Sequence, residues 1–170
     1  KKKYSLDLLL KAGLVIKGRG GRYYDRFRGR VMFPLRNPRG QVVGFSGRIL
    51  PTADDQTKQE SKYINSPETL LYHKSKLLFG YSELHQQIRA KQEVIVVEGE
   101  FDVITSTQAH VNNIVAIKGS ALTSDHALLL KRTVERVILA LDTDSAGIEA
   151  TKRSLQVLKP YDVELRVLTI

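Results

Sequence analysis

The sequence predicts an α/β protein in which a smaller basic α+β subdomain, residues 1–82, precedes a mainly parallel four-stranded sheet with flanking helices, residues 83–170. From residue 94 onward, short apolar segments alternate with helical ones, which is the pattern of strands joined by right-handed crossovers. Two of those segments, VIVV and VILAL, contain no polar residue, as is typical of strands buried on both faces. A turn signal between two alternating segments predicts a β-hairpin in the first half.

The hairpin is predicted around Asn37-Pro38-Arg39-Gly40, which separates strand-like residues 29–36 from residues 41–49. Proline at the second position and glycine at the fourth suit a type I turn. In the first strand, apolar residues alternate with arginines, so one face is apolar and the other is basic. The apolar face holds Val31, Phe33 and Leu35, and the basic face holds Arg28, Arg30 and Arg36. The basic face suits bidentate contacts with phosphate, although a solvated surface explains it equally well.

Three further elements are predicted in the first half. Residues 5–13 predict a short helix that ends at a glycine, and residues 51–60 are polar enough to predict a mobile loop. Ser66 followed by Pro67 predicts a helix start, because serine caps helices and proline suits their first position. A helix over residues 82–91 then leads into the second half.

Charge divides the chain into two parts. Residues 1–82 carry 17 Lys and Arg against 6 Asp and Glu, whereas residues 83–170 carry 10 against 12. This segregation favours a phosphate-bearing partner for the first half. The absence of cysteine excludes disulfides and thiolate zinc sites and fits a cytoplasmic setting, and no apolar run is long enough to predict a membrane span. Because the sequence begins with Lys, we expect it to be a piece of a longer chain.

Strands and helices alternate in the second half. Thr123 or Ser124 is a suitable cap for the second helix, and Pro160 ends the third. The strands are expected at residues 94–97, 113–117, 136–141 and 163–170, and the helices at residues 101–109, 124–131 and 145–158.

Acidic residues follow both uninterrupted strands. Glu98 comes directly after the first, and Asp142 and Asp144 come after the second. Because the carboxyl ends of parallel strands emerge at one sheet edge, we expect the three carboxylates to share one site. Crowded carboxylates repel each other unless a cation lies between them, and an all-oxygen ligand set favours Mg²⁺ or Mn²⁺. Asp102, in the next helical turn, is expected to support this site or to stabilise the helix start.

The alternative for each acid is a structural role. Asp144 suits the N-cap of the helix over residues 145–158, and Glu98 could stand on a turn set by Gly99. Either explanation is reasonable for one acid alone. Two buried strands that both end in acid by chance are a less economical explanation, so the joint pattern favours a metal site.

The segments that carry these residues resemble a known family. VVEGEFDVI, AIKGSALT and LALDTDSAGIEA are similar, in the same order, to the motifs of Toprim domains. YDRFRGRVMFPLRNPRGQVVGFSGRIL and KYINSPETLLYHKSKLLFG are similar to the basic segments of bacterial DnaG-type DNA primases. The chain therefore resembles the RNA polymerase core of those primases over nearly its whole length.

This resemblance implies a nucleotidyltransferase, a DNA-directed RNA polymerase that makes short RNA primers from NTPs on single-stranded DNA for replication. It implies Mg²⁺ or Mn²⁺ at Glu98, Asp142 and Asp144, and no zinc in this part of the family's sequence. It also implies a basic surface for template or nucleotide phosphates. The residues of that surface are Arg28, Arg30, Lys62 and Lys74. The implied setting is the cytoplasm, at the replication fork, with no membrane and with a replicative helicase as partner through a domain that the sequence lacks.

Three departures from the family's pattern bear on activity. Glu100 stands where the family usually has an aromatic residue, which is expected to make the surroundings of Glu98 more negative. Thr143 replaces a common glycine between the two aspartates. The Toprim domain is expected to be truncated, because the family's next Asp-rich motif would follow Ile170, so we expect a fragment that is weak or inactive alone. The alternatives are another Toprim enzyme, a topoisomerase or a nuclease, and a non-catalytic single-stranded DNA-binding module.

Overall fold

The structure is a computed structural model that describes residues 3–18, 20–51 and 61–169. These residues divide into two compact units. The N-terminal unit lies within Lys1–Leu35 and Val42–His73, and the C-terminal unit lies within Arg36–Gln41 and Lys74–Ile170. No helix of the described residues is long and apolar enough to cross a membrane.

The N-terminal unit is rich in short strands. Ser5 caps its one described helix by accepting a hydrogen bond from the Leu8 N–H, as serine commonly does at a helix start. A two-stranded antiparallel sheet joins β1 to β2, and a three-stranded sheet has the order β3-β4-β5. The elements are α1 Leu6–Lys11, β1 Val15–Lys17, β2 Tyr23–Asp25, β3 Arg30–Arg36, β4 Val42–Ile49 and β5 Tyr63–Asn65.

The predicted hairpin is confirmed as β3 and β4. The Gly40 N–H donates to the Asn37 carbonyl at 2.9 Å, and Gly40 has φ +81°, a conformation that glycine adopts without steric cost. The Asn37 side-chain oxygen accepts from the N–H groups of Arg39 and Gln41 at 3.0 and 3.1 Å. The turn residues therefore set the register of the two strands.

The predicted helix start at Ser66 is wrong. The Ser66 hydroxyl accepts from the Phe45 N–H at 2.9 Å, while the Ser66 N–H donates to the Phe45 carbonyl at 2.8 Å. Ser66 thus continues the pairing of β5 with β4 instead of capping a helix. The loop predicted at residues 51–60 lies, apart from Pro51, outside the described residues.

The C-terminal unit contains a five-stranded sheet with the order β10-β9-β7-β8-β6. The four predicted strands are all present and pair in parallel, whereas β6 is a two-residue antiparallel edge strand that the sequence pattern did not predict. The elements are a 3-10 helix Lys74–Lys76, β6 Leu78–Phe79, α2 Tyr81–Lys91, β7 Glu93–Val97, α3 Glu100–Gln108, β8 Ile114–Ile117, α4 Ser124–Lys131, β9 Arg136–Leu139, α5 Ser145–Leu158 and β10 Glu164–Val167.

The core of the C-terminal unit lies on both faces of its central strands. Val94 and Val96 of β7 and Val137 and Leu139 of β9 have no exposed surface, and all four residues of β8 are buried. Parallel strands that are buried on both faces are uniformly apolar, because neither face meets water. This packing fixes the strand ends, where the acids follow.

Candidate functional site

The strands β7 and β9 are neighbours and end at the same edge of the sheet. Val96 lies opposite Leu139 in their parallel pairing, so Glu98 and Asp142 both emerge just past the last paired residues. The Asp142 N–H donates to Glu98 Oε1 at 3.2 Å. The prediction that the two acidic strand ends meet is therefore matched by the backbone geometry and by a direct hydrogen bond.

Four carboxylates contribute to the electrostatics of this edge. Burial raises the pKa of Glu98 above its ordinary value, the Asp142 N–H opposes that shift, and the negative charges of Asp142, Asp144 and Asp102 add to it. No described basic side chain forms an ion pair with any of the four. The edge therefore has an excess of negative charge that a bound cation would relieve.

Asp144 also has the structural role, helix capping, that was given above as the alternative to metal binding. It is the N-cap of α5, and its Oδ1 accepts from the Gly147 N–H at 2.8 Å. Gly147 lies so close to the preceding loop that an added Cβ would stand 2.1 Å from the Asp142 carbonyl oxygen. The start of α5 thus packs directly on the loop that carries both aspartates, and the lack of a side chain at Gly147 is what permits it.

Asp102 holds the start of α3. Its Oδ2 accepts from the Gly99 N–H at 3.0 Å, which is the side-chain-to-backbone half of a capping box. Because Gly99 follows Glu98, this bond fixes the turn that carries Glu98. Asp102 also borders a cavity of about 530 Å³ beside the aspartates. The cavity is lined by Val97, Asp102, Thr105, Ser106 and residues 140–144.

The acid group consists of Glu98, Asp102, Asp142 and Asp144, and each of them offers carboxylate oxygen. Oxygen ligands of this kind fit a hard divalent cation. The side chains are not arranged as a ready metal centre: in residues 3–18, 20–51 and 61–169, no three His, Cys, Asp or Glu side chains are grouped so as to hold an ion. Glu98 and Asp144 each direct one oxygen to a backbone N–H. The other oxygen of each of these two carboxylates accepts no hydrogen bond from the described residues.

Of the four predicted phosphate-binding residues, Arg30 does not lie where the alternation placed it. It is 7% exposed, and its Nη1 donates to the carbonyls of Ser61 at 2.9 Å, Lys62 at 3.3 Å and Gly47 at 3.4 Å. Val31, assigned to the apolar face, is 41% exposed. The predicted faces are confirmed for Phe33 and Leu35 and wrong for Val31 and Arg30. Arg30 is buried because its guanidinium joins β3 to the segment that leads into β5.

The other three basic residues are exposed. The Arg28 guanidinium lies 4.6 Å from the centre of the Tyr24 ring, within the range of a cation–π contact. Arg28 and Lys62 both belong to the N-terminal unit. Lys74 belongs to the C-terminal unit, where its Cε lies 3.8 Å from the position of a Cβ on Gly119, close to the end of β8. Lys74 therefore shares a unit with the acids.

The expectation that Glu100 adds negative charge to the site is wrong. Its side chain is buried and forms an ion pair with Lys118, the residue that follows β8. Burial lowers the pKa of Lys118, the charge of Glu100 opposes that shift, and the nearby charge of Lys74 adds to it. We missed Lys118 although the signal was present: IVAI is an uninterrupted apolar strand that ends in a charged residue, as the two acidic strands do.

The fold and the acidic carboxyl edge of its sheet together define a Toprim protein. Residues 92–169 match the Toprim domain family model. Residues 1–85 match the family model for the N-terminal domain of the DNA primase catalytic core. The chain belongs to the bacterial DnaG-type DNA primase family.

Individual relatives agree with this assignment. The DNA primase of Listeria monocytogenes is 44% identical over 154 residues, which are 91% of this chain and 24% of that protein. A DNA primase domain from Pseudomonas aeruginosa has a similar structure, with a TM-score of 0.86 and 38% identity over 97% of this chain and 51% of that one. A DnaG primase catalytic domain bound to single-stranded DNA gives a TM-score of 0.85 at 39% identity, covering 96% of this chain and 50% of that one. The chain spans about a quarter of the length of the curated relatives it matches.

Proposed function

We propose that this chain provides the nucleotidyl-transfer site of a primase, which joins NTPs into short RNA primers on a single-stranded DNA template. The observation that carries the proposal is the hydrogen bond from the Asp142 N–H to Glu98, which brings two acidic strand ends together. The relatives named DNA primase and the DNA-bound catalytic domain support the substrate class. The setting that follows is the replication fork, with the replicative helicase as an expected partner.

In this proposal Glu98, Asp142 and Asp144 hold a divalent ion, Mg²⁺ or Mn²⁺. When bound, such an ion supplies Lewis acidity and charge neutralisation for attack of a 3′-hydroxyl on an α-phosphate with release of pyrophosphate. The residues of the chain have separate tasks. Asp102 fixes the turn that carries Glu98, and the Asp144 cap fixes the loop between Leu139 and α5.

Phosphate contacts are assigned to Arg28, Lys62 and Lys74, all of them exposed cations. Each neutralised phosphate releases counter-ions, so such contacts give salt-dependent affinity without base specificity. Arg30 is left out of this group because its guanidinium is buried against backbone carbonyls. Its role is to hold β3, β4 and β5 together.

Two observations favour a second candidate, a single-stranded DNA-binding module without catalysis. Two of the three carboxylates already accept backbone N–H groups, and the described acids form no ready metal centre. That candidate keeps the basic residues and removes the metal.

A primer-synthesis assay separates the two candidates. Single-stranded template, labelled NTPs and Mg²⁺ or Mn²⁺ are supplied to this chain and to the longest natural protein that contains it. A primase makes primers, and Asp142→Asn abolishes them while leaving DNA binding intact. DNA binding without primers from either protein, with either metal, contradicts the proposal and supports the binding module.

The phosphate assignment has its own test. Arg28→Ala is expected to weaken binding to single-stranded DNA and to reduce the salt-dependence slope by about 1. Arg166→Ala is the matched control, because Arg166 is an exposed arginine already paired with Glu164. Unchanged binding in Arg28→Ala, measured by fluorescence anisotropy across salt concentrations, would remove Arg28 from the interface.

A further inference from the structure

A buried ion pair flanks the acid group on the side of β8. Lys118 directly follows β8, Glu100 is the first residue of α3, and the Lys118 ammonium pairs with the Glu100 carboxylate. The two side chains are only 6% and 3% exposed. Removing the Glu100 carboxylate from such a pair leaves the Lys118 ammonium buried without it, so Lys118 depends on Glu100.

The pair lies one strand away from the acids and two residues from Glu98. Strands β7 and β8 are parallel neighbours, with Val97 opposite Ala116, so the end of β8 stands beside the start of residues 98–102. One attachment of that segment is internal, from the Gly99 N–H to Asp102. The ion pair adds a second attachment, from Glu100 to the end of the neighbouring strand.

The pair also determines where positive charge is placed. Lys118 and Lys74 lie near each other, yet no described basic side chain forms an ion pair with Glu98, Asp142 or Asp144. With its ammonium held by Glu100, Lys118 does not act as an internal counter-ion for the acids. The negative charge of the edge remains available to an external cation.

We propose that the Glu100–Lys118 pair is a positioning device that holds residues 98–102 against the end of β8 and so orients Glu98 for metal binding. The metal-binding part rests on the proposed function, whereas the holding of the segment does not. A pair that only adds stability would make a different prediction, because disrupting it would leave the local motion of residues 98–102 unchanged in a folded variant.

Two measurements test the proposal. Each is made on the wild type and on the variants Lys118→Met and Glu100→Gln. Hydrogen exchange of the amides of residues 99–102 is expected to be faster in both folded variants than in the wild type. Mn²⁺ affinity, measured by electron paramagnetic resonance, is expected to fall about tenfold, at the lower end of the effects of outer-shell residues.

The charge-swapped double variant E100K/K118E restores a pair of opposite charges at the two positions. It is expected to recover Mn²⁺ affinity to within about threefold of the wild type, because coupled residues compensate each other. Lys152→Met is the matched control, since Lys152 forms an exposed pair with Glu149 within α5. Neither exchange at residues 99–102 nor Mn²⁺ affinity is expected to change in that control.

The outcomes separate this proposal from the proposed function. If Lys118→Met melts cooperatively and residues 99–102 exchange as slowly as in the wild type, the positioning role is overturned, whatever the metal result. If Lys118→Met does not fold, Glu100→Gln decides by the same two measurements. If the wild type binds no Mn²⁺, the metal site of the proposed function fails, and the exchange rates alone then decide whether the pair holds the segment.

Discussion

Both ends of the central sheet carry carboxylates, but the surroundings of those carboxylates differ. At the amino end, Glu93 of β7 and Glu164 of β10 both pair with Arg136 of β9, at 2.9 and 2.7 Å. At the carboxyl end, Glu98 meets Asp142 with no described cation between them. The hydrogen bonds from Arg136 and Arg166 hold the pKa of Glu164 below its usual range, whereas burial and the neighbouring acids raise that of Glu98.

This difference separates charge that supports the fold from charge reserved for a ligand. The carboxylates at the amino end are both paired with the Arg136 guanidinium, so removing one of them changes only a surface network. Unpaired carboxylates at the carboxyl end cost stability, and such an arrangement is typical of functional sites. The comparison therefore supplies a control: Glu93 and Glu164 at the amino end are the counterparts of Glu98 at the carboxyl end.

The largest contrast is expected between Glu98→Gln and Glu93→Gln in primer synthesis. Glu98→Gln removes a metal-ligand charge and is expected to lower the rate by more than about 100-fold, beyond the range of outer-shell effects. Glu93→Gln leaves Arg136 paired with Glu164 and is expected to change the rate by less than about twofold. Equal rates for the two variants would remove the functional distinction between the two ends.

The next effect comes from Gly147→Ala, which changes no charge. A Cβ at this position collides with the Asp142 carbonyl, so α5 must move away from the acidic loop. The free energy of unfolding is expected to fall by about 1–3 kcal/mol, the range of overpacking, and Mn²⁺ affinity to fall with it. Denaturant titration measures the first and Mn²⁺ binding the second. Ala146→Gly, at the exposed neighbouring position, is the control for a change in the first turn of α5. Unaltered metal affinity in Gly147→Ala would show that the packing of α5 does not position the acids.

The two roles of Asp144 can be separated by two substitutions. Asp144→Asn keeps an N-cap oxygen, so unfolding free energy is expected to change by less than about 0.5 kcal/mol, whereas Asp144→Ala is expected to cost about 1 kcal/mol. Both are expected to weaken Mn²⁺ binding, because both remove the carboxylate charge. Full metal affinity in Asp144→Asn would limit Asp144 to the capping role.

The smallest effect is the dependence of stability on pH, and it is expected to have opposite signs at the two ends. For Glu98 the pKa is raised in the folded state, so its ionisation destabilises the fold as pH rises through the range from the unfolded to the folded pKa. Without metal, Glu98→Gln is expected to raise the melting temperature slightly at neutral pH and to have no effect at a pH below both values.

Glu164 behaves in the reverse way. Its pKa is lowered in the folded state, so its contribution is present above the unfolded value and is lost as pH falls through the folded value. Glu164→Gln is expected to lower the melting temperature slightly at neutral pH, and melting curves at several pH values measure both variants. A decrease for Glu98→Gln at neutral pH would contradict the assignment of unrelieved charge to the carboxyl end.

The sequence was sufficient for the four parallel strands of the C-terminal unit and for the position of its acidic edge. Uninterrupted apolar strands identify buried parallel strands, and the residue after each strand must lie at the sheet edge. It was not sufficient for Arg30, because alternation assigns a face but does not show whether backbone carbonyls nearby can accept from a guanidinium. The same limit explains the mistaken charge at Glu100: its partner Lys118 is 18 residues away, and only the pairing of β7 with β8 brings them together.

The measurement that tests the central claim most directly is a Mn²⁺ titration of the wild-type chain, followed by the paramagnetic resonance signal of the free ion. We predict saturable binding that Mg²⁺ competes away, that Asp142→Asn abolishes and that Glu93→Gln leaves unchanged. Absence of saturable binding, or binding that persists in Asp142→Asn, would contradict the assignment of a divalent cation site to the carboxyl edge of the sheet.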